Sequence, residues 1–150
     1  MSKQPFLIFT ISEQRYALPI EDVVEVASMV ELLNIPTALP EIIGIANRHG
    51  TPLPMLDLRQ VFGHDHADVT ATTLFVVAQP KDEQMLGLVV DVIHQVEYIE
   101  SAQLNLTSGA GKFIHGIINS NNILTQMVDI EMLLRVYFSD AVVDEDMFKV

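Results

Sequence analysis

The sequence predicts a mainly β protein built from two small barrel-like halves, and three observations lead there. Short apolar runs alternate with turn residues along almost the whole chain. The segment 44–58, GIANRHGTPLPMLDL, returns without a gap at 116–130 as GIINSNNILTQMVDI. In both, an aspartate stands where a short helix would need its cap. A shift of 72 places Gly44 on Gly116, Asn47 on Asn119, Met55 on Met127 and Asp57 on Asp129. A shift of 70 places Leu18 on Leu88, Ile20 on Val90, Glu21 on Asp91 and Val26 on Val96. Roughly five short strands per half suit a small barrel, since closure removes exposed edges. Two such barrels side by side would share an apolar seam. The expected division is subdomain 1 at about 6–63 and subdomain 2 at about 72–135 within one domain, 1–138, followed by an acidic tail, 139–150.

Each element has a local reason. Residues 6–11 form a compact run of β formers, and 12–14 make a polar turn. In 15–20, Tyr16, Leu18 and Ile20 fall on one side of a strand. Residues 23–27 are valine-rich and alternate. Residues 30–40 hold two prolines and read as an irregular crossover. Strands at 41–48 and 52–56 are joined through His49, Gly50 and Thr51. Pro54 cannot donate to a ladder, so its strand is expected at an edge or with a bulge. Asp57 is an N-cap for a helix at 58–62, with Gln60 placed for a capping box and Gly63 for a left-handed C-cap. The polar loop 64–71 divides the halves. The second half predicts strands at 73–78, 86–93, 95–99, 114–119 and 123–128. It also predicts a turn at 80–84, a Gly-rich loop at 108–112, and a helix at 130–134 capped by Asp129. Loss of either cap is expected to cost about 1 kcal/mol.

Composition bounds the function. A chain of 150 residues can bury about 70% of its unfolded surface, and 49% of these residues are hydrophobic. The absence of cysteine rules out disulfides and thiol chemistry. A net charge of −12 with eight Lys plus Arg leaves no basic face for nucleic acid and disfavours anionic membranes. A basic protein partner remains open. No apolar run approaches the ~20 residues that span a bilayer, so no membrane insertion is expected. The start, MSKQPFLIFTISEQ, lacks a signal-peptide cleavage site and reads as the first strand of a cytoplasmic protein.

Chemistry is harder to find. The tract 63–68, GHDHAD, sets alternate histidines beside carboxylates. It reads as a solvated loop because no second cluster completes a metal site. His94 and His115 stand singly in strands. The tract 108–112, SGAGK, superficially resembles a phosphate cradle but is too short, and no nucleophile, P-loop or dinucleotide motif occurs. Asp57 and Asp129 could be imagined as an acid/base pair, but capping explains each locally. Glu21, Asp22 and Glu25 form either a solvated acidic face or a contact for a basic partner. Two function classes stay open: a binding module without chemistry, and an enzyme or ligand-binding barrel with an unseen site. No catalytic residue, metal or cofactor is assigned.

Taken together, FLIFTISEQRYALPIEDVVEV, IIGIANRHGTPLPMLDLRQVFG, GLVVDVIHQV and FIHGIINSNNILTQMVDIEMLL resemble the CheW family of chemotaxis coupling proteins over residues 6–134. The resemblance implies a CheW-like fold of two five-stranded β-barrel subdomains with short helices. It implies a non-enzymatic adaptor joining the cytoplasmic tips of transmembrane chemoreceptors to the regulatory domain of a CheA-type histidine kinase. The protein would then be cytoplasmic and recruited to the inner face of the membrane through receptors. No receiver or kinase domain is evident, which suits a stand-alone adaptor. Val23 matches a receptor-contact position, and Glu25 an acidic position tied to kinase and receptor coupling. Both are expected on one exposed strand face. The family's Asn-Leu-Arg-Gly turn falls on Asn47, Arg48, His49 and Gly50, so histidine replaces the family's arginine. Histidine is mostly neutral at pH 7, so a bond made by that arginine would become weaker and pH-sensitive. Gln95 stands where the family often has an acid. These departures leave open a divergent paralogue scaffolding another kinase pathway, such as surface motility.

Overall fold

The computed structural model describes residues 2–36, 39–106 and 111–138; the Gly-rich residues 108–110 and the tail 139–150 lie outside them. The chain opens with strands β1 (Lys3–Ile11) and β2 (Gln14–Pro19), a 3-10 turn (Ile20–Asp22), and β3 (Val23–Ser28). It continues through β4 (Leu32–Leu33), β5 (Ile42–Arg48), β6 (Thr51–Asp57) and helix α1 (Leu58–Val61). Then come β7 (Leu74–Ala78), β8 (Leu86–Val90), β9 (Val92–Glu100), a second 3-10 turn (Ser101–Gln103) and β10 (Leu104–Leu106). Strands β11 (Ile114–Ser120) and β12 (Ile123–Val128) lead into helix α2 (Ile130–Tyr137). The hairpin turns at Ser12–Glu13, His49–Gly50 and Asn121–Asn122 hold both residues at positive φ. That twist is the one that matches paired strands.

Two six-stranded sheets result, in the orders β10-β11-β12-β2-β1-β9 and β4-β5-β6-β8-β7-β3. They correspond strand for strand, and the register repeats too. Ile42 faces Leu56 and Gly44 faces Met55, as Ile114 faces Val128 and Gly116 faces Met127, with a bulge at the same step in each. The mainly β, duplicated, two-unit expectation therefore holds, but strand pairing departs from a division at 6–63 and 72–135. Each sheet takes four strands from one half and two from the other. β2 runs parallel to β12 through Ala17 and Met127, just as β8 runs parallel to β6 through Gly87 and Met55. Among the described residues no ladder joins the end strands of either sheet, so each is a rolled sheet of six strands rather than a closed barrel of five.

Burial explains the exchange. A run that is apolar at every position needs a partner on both faces. In β1, Phe6 and Ile8 enter a cluster inside the first sheet with Ala17, Ile99, Ile118 and Met127. Leu7, Phe9 and Ile11 point into the seam, against Leu18, Leu56, Leu58, Leu88 and Leu133. In the second sheet, Phe75 and Val77 fill the inside with Met55 and Val89, while Val76 and Ala78 join the seam. Handing two strands to the other sheet gives both faces of these runs an apolar neighbour.

Several local expectations change. Asp57 caps α1 by accepting the Arg59 amide at 3.0 Å, and Asp129 caps α2 by accepting the Met132 amide at 3.0 Å. The capping box does not form at Gln60, which donates to the Asp57 carboxylate instead. The Asp57 amide is already bound to the Glu41 carbonyl at 2.8 Å, and the Asp129 amide to the Phe113 carbonyl at 2.8 Å. Pro54 is not on an edge strand. Pro52 and Pro54 precede Met55, where the parallel ladder with β8 begins, and the bulge lies in β5. The run 86–93 divides at Asp91, where the chain passes from one sheet to the other. There the Asp91 carboxylate accepts the Ser12 amide at 2.8 Å. The crossover 30–40 contains the short edge strand β4.

Candidate partner-binding surface

β3 and β5 are far apart in the order of the second sheet, yet that sheet rolls until they meet. The Glu25 carboxylate accepts Arg48 Nε at 2.9 Å. The equivalent positions in the other sheet are Gln95 and Ser120, so this ion pair exists in one copy only. Two of the candidate residues, on separate strands, are thereby brought together.

Val23 is placed differently from the expectation. It is half-buried and packs against the seam. A bulge between Val23 and Glu25 shifts the register against β7, and the exposed apolar residues of β3 are Val24 (43%) and Val26 (48%). Among the described residues no ladder forms on the outer side of β3, and these side chains flank that edge. Sequence reasoning missed both. The signal was present in the alternation of VVEV, but alternation alone does not say which of its two faces is covered.

The turn after β5 is fixed by Asn47, whose side-chain oxygen accepts the Gly50 amide at 2.8 Å. His49 is exposed, at φ 52°. Asn47 and Gly50 line a shallow hollow of about 230 Å³ with Leu33, Ile45 and Pro52. Leu33, on β4, is 63% exposed beside it. Asn47, Arg48, His49 and Gly50 thus form one turn, joined to Glu25 through Arg48 and bordered by apolar surface. Interfaces commonly combine such an apolar centre with a charged rim.

The remaining candidates have local partners. His64 lies 2.8 Å from the Tyr16 hydroxyl, and His66 turns back to the His64 carbonyl. Burial raises the Tyr16 pKa, partly opposed by the Gln126 side chain. Among the described residues, no group of three or more His, Asp or Glu is arranged to hold a metal ion. No helix among them is long and apolar enough to cross a membrane. Asp57, at 1% exposure, binds the Arg59 guanidinium at 2.9 and 3.1 Å, so it is a cap that also holds a buried cation. Arg59 was not singled out from sequence; its only trace there is a charge within the short capped helix LRQV.

These features define a duplicated two-sheet β protein whose end strand β3 carries exposed valines, with a charged turn beside it. The chain belongs to the CheW-like domain family, whose model matches residues 5–137. It is 28% identical over 136 residues to a chemotaxis protein CheW of Klebsiella aerogenes, covering 87% of this chain and 81% of that one. It is 25% identical over 140 residues to a probable chemotaxis protein CheW of Rhizobium etli, covering 90% of each. Among solved structures it resembles the scaffolding protein TtCheW of Thermoanaerobacter tengcongensis, with a TM-score of 0.77 and 25% identity over 84% of this chain and 88% of that one.

Proposed function

We propose that the protein is a cytoplasmic, non-enzymatic adaptor that couples the tips of chemotaxis receptors to the regulatory domain of a CheA-type histidine kinase. The observation that carries this reading is the Glu25–Arg48 pair at the β3 edge of the second sheet, set between exposed valines and the Asn47–Gly50 turn. Family membership supplies the pathway, and the pair supplies a surface a partner can read. Val24 and Val26 join the contact beside Glu25, with Val23 supporting the strand from below. The role needs no catalytic group or cofactor.

A charge exchange tests the surface. A pair that is still partly open to solvent, as this one is, contributes only about 0–1 kcal/mol to the fold, so Glu25→Lys should melt close to wild type. A charge-assisted bond to a partner contributes about 1.5–3 kcal/mol, so its affinity should fall by one to two orders of magnitude. The double exchange Glu25→Arg with Arg48→Glu keeps the internal pair but reverses its sense. Calorimetric titration with a kinase regulatory fragment and with a receptor-tip fragment should show that exchange failing to restore binding to at least one of them. Wild-type affinity for both after Glu25→Lys would remove this pair from the contact.

A further inference from the structure

The duplication leaves a cleft beside each capped helix, and the two clefts have diverged. After α1, Phe62 and His64 stand over Tyr16 of β2. The Tyr16 and Phe62 rings stack at 4.8 Å, and the Tyr16 hydroxyl lies 2.8 Å from His64 Nε2. Together with Phe113, which precedes β11, these rings wall a cleft of about 510 Å³. The corresponding cleft beside α2 is about 260 Å³. The shift of 70 places Gln14 on Gln84 and Tyr16 on Leu86, and the shift of 72 places Phe62 on Leu134. Gln14 and Phe62 line the larger cleft as Gln84 and Leu134 line the smaller, so the two are counterparts. The stacked ring pair of the first has leucines in its place in the second.

Charge separates them as well. The smaller cleft is lined by Glu83, Glu131 and Arg135. Among the described residues lining the larger cleft there is no Asp or Glu, and Lys112 is the one lysine or arginine. A cleft without a carboxylate stands out in a chain with 20 Asp plus Glu against eight Lys plus Arg. Lys112 Nζ stands over the Phe113 ring, 5.7 Å from its centre. Gln14 and Gln126 add neutral amide groups. Gln14, Tyr16 and Gln126 come from the first sheet, whereas Phe62 and His64 follow α1, which hangs from β6 of the second. Apolar ring faces with a few convergent polar groups, in a cleft of this size, are what small-molecule sites are made of.

We propose that this cleft binds a small aromatic carboxylate, its ring among Tyr16, Phe62 and Phe113 and its carboxylate at Lys112. The ammonium supplies a charge-assisted bond, and the ring gains contacts beyond its burial from the aromatic walls. With walls from both sheets, the cleft lets one molecule touch both. It shares no residue with the Glu25 strand or the Asn47–Gly50 turn, so the proposal is independent of the adaptor reading.

The test is an NMR titration of the isotope-labelled protein, at constant pH and ionic strength, with 3-phenylpropionate, its neutral amide, and propionate. Phenylpropionate should give saturable shifts at the side-chain amides of Gln14 and Gln126 and at the backbone amides of Phe62, His64 and Phe113. The amide lacks the charge and propionate lacks the ring, so each should bind severalfold more weakly. Lys112→Gln should bring phenylpropionate down to the level of its amide and leave the amide itself unchanged. Phe62→Leu, which copies the smaller cleft, should weaken both ring-bearing probes alike. Equal affinity for acid and amide, an undiminished response in either variant, or shifts that fail to saturate or fall outside the cleft would overturn the proposal. Lys112 is exposed, so its variant keeps the fold and decides the matter even if Phe62→Leu does not fold.

Discussion

Replacing Asp57 by alanine is expected to cost about 3–5 kcal/mol, whereas replacing Asp129 costs about 1 kcal/mol. Judged as caps alone the two aspartates are equal, since each accepts one first-turn amide at 3.0 Å. They differ in what lies over them. Asp57 is the partner of an arginine that is only 3% exposed. Removing the carboxylate strands that charge, and Asp91 at 3.9 Å is too far to replace a bidentate bond. Among the described residues Asp129 holds no cation, and the residue in the place of Arg59 is Glu131. Denaturant melts of the two variants separate these cases. The double variant Asp57→Ala with Arg59→Met should recover part of the loss, because it removes the stranded charge along with its partner. Equal losses for the two single variants would show that Arg59 does not depend on Asp57.

The second large effect concerns a matched pair of glycines. Gly44→Ala is expected to cost about 2–4 kcal/mol, combining positive-φ strain with overpacking. Gly44 sits at the β5 bulge with φ 147°, and a Cβ there would lie 2.8 Å from the Leu33 carbonyl oxygen. That atom belongs to the backbone of β4 and cannot rotate away. At the matching bulge, Gly116 has no positive φ, and its Cβ would meet the Met127 sulfur at 3.0 Å and the Leu106 side chain at 3.1 Å, with the nearest backbone atom, the Asn105 carbonyl oxygen, at 3.2 Å instead of 2.8 Å. Flexible side chains can give by a few tenths of an ångström, so Gly116→Ala should cost clearly less. Thermal melts of both variants check the ordering, and a reversed order would mean that β4 yields more readily than the β10 side chains.

Both contrasts rest on a duplication that was legible in the sequence. Gly44 to Asp57 and Gly116 to Asp129 carry the same turn, bulge and cap chemistry, and those are local. The exchange of strands between sheets was not legible. Period-2 alternation says which face of a strand is apolar, not which strand lies beside it. The run 86–93 hid its break because Asp91 stands between valines that suit either sheet. At the candidate surface, the turn at Asn47–Gly50 could be read, and Arg48 could be placed next to it. That Arg48 would reach Glu25 depends on how far a sheet rolls, which no local pattern encodes. The expected exposed face of Val23 failed because that side chain packs against the seam, and Val24 and Val26 on the alternate positions are the exposed ones.

The central claim, coupling between receptor and kinase, is tested most directly by three-component sedimentation. Vesicles displaying receptor cytoplasmic fragments are spun with a CheA-type kinase, with and without this protein. The adaptor reading predicts that this protein sediments with the vesicles, that kinase sedimentation rises with its concentration, and that Glu25→Lys loses the increase while keeping its fold. Kinase that sediments equally with or without the protein, or a protein that stays in the supernatant with receptor and kinase both present, would contradict it.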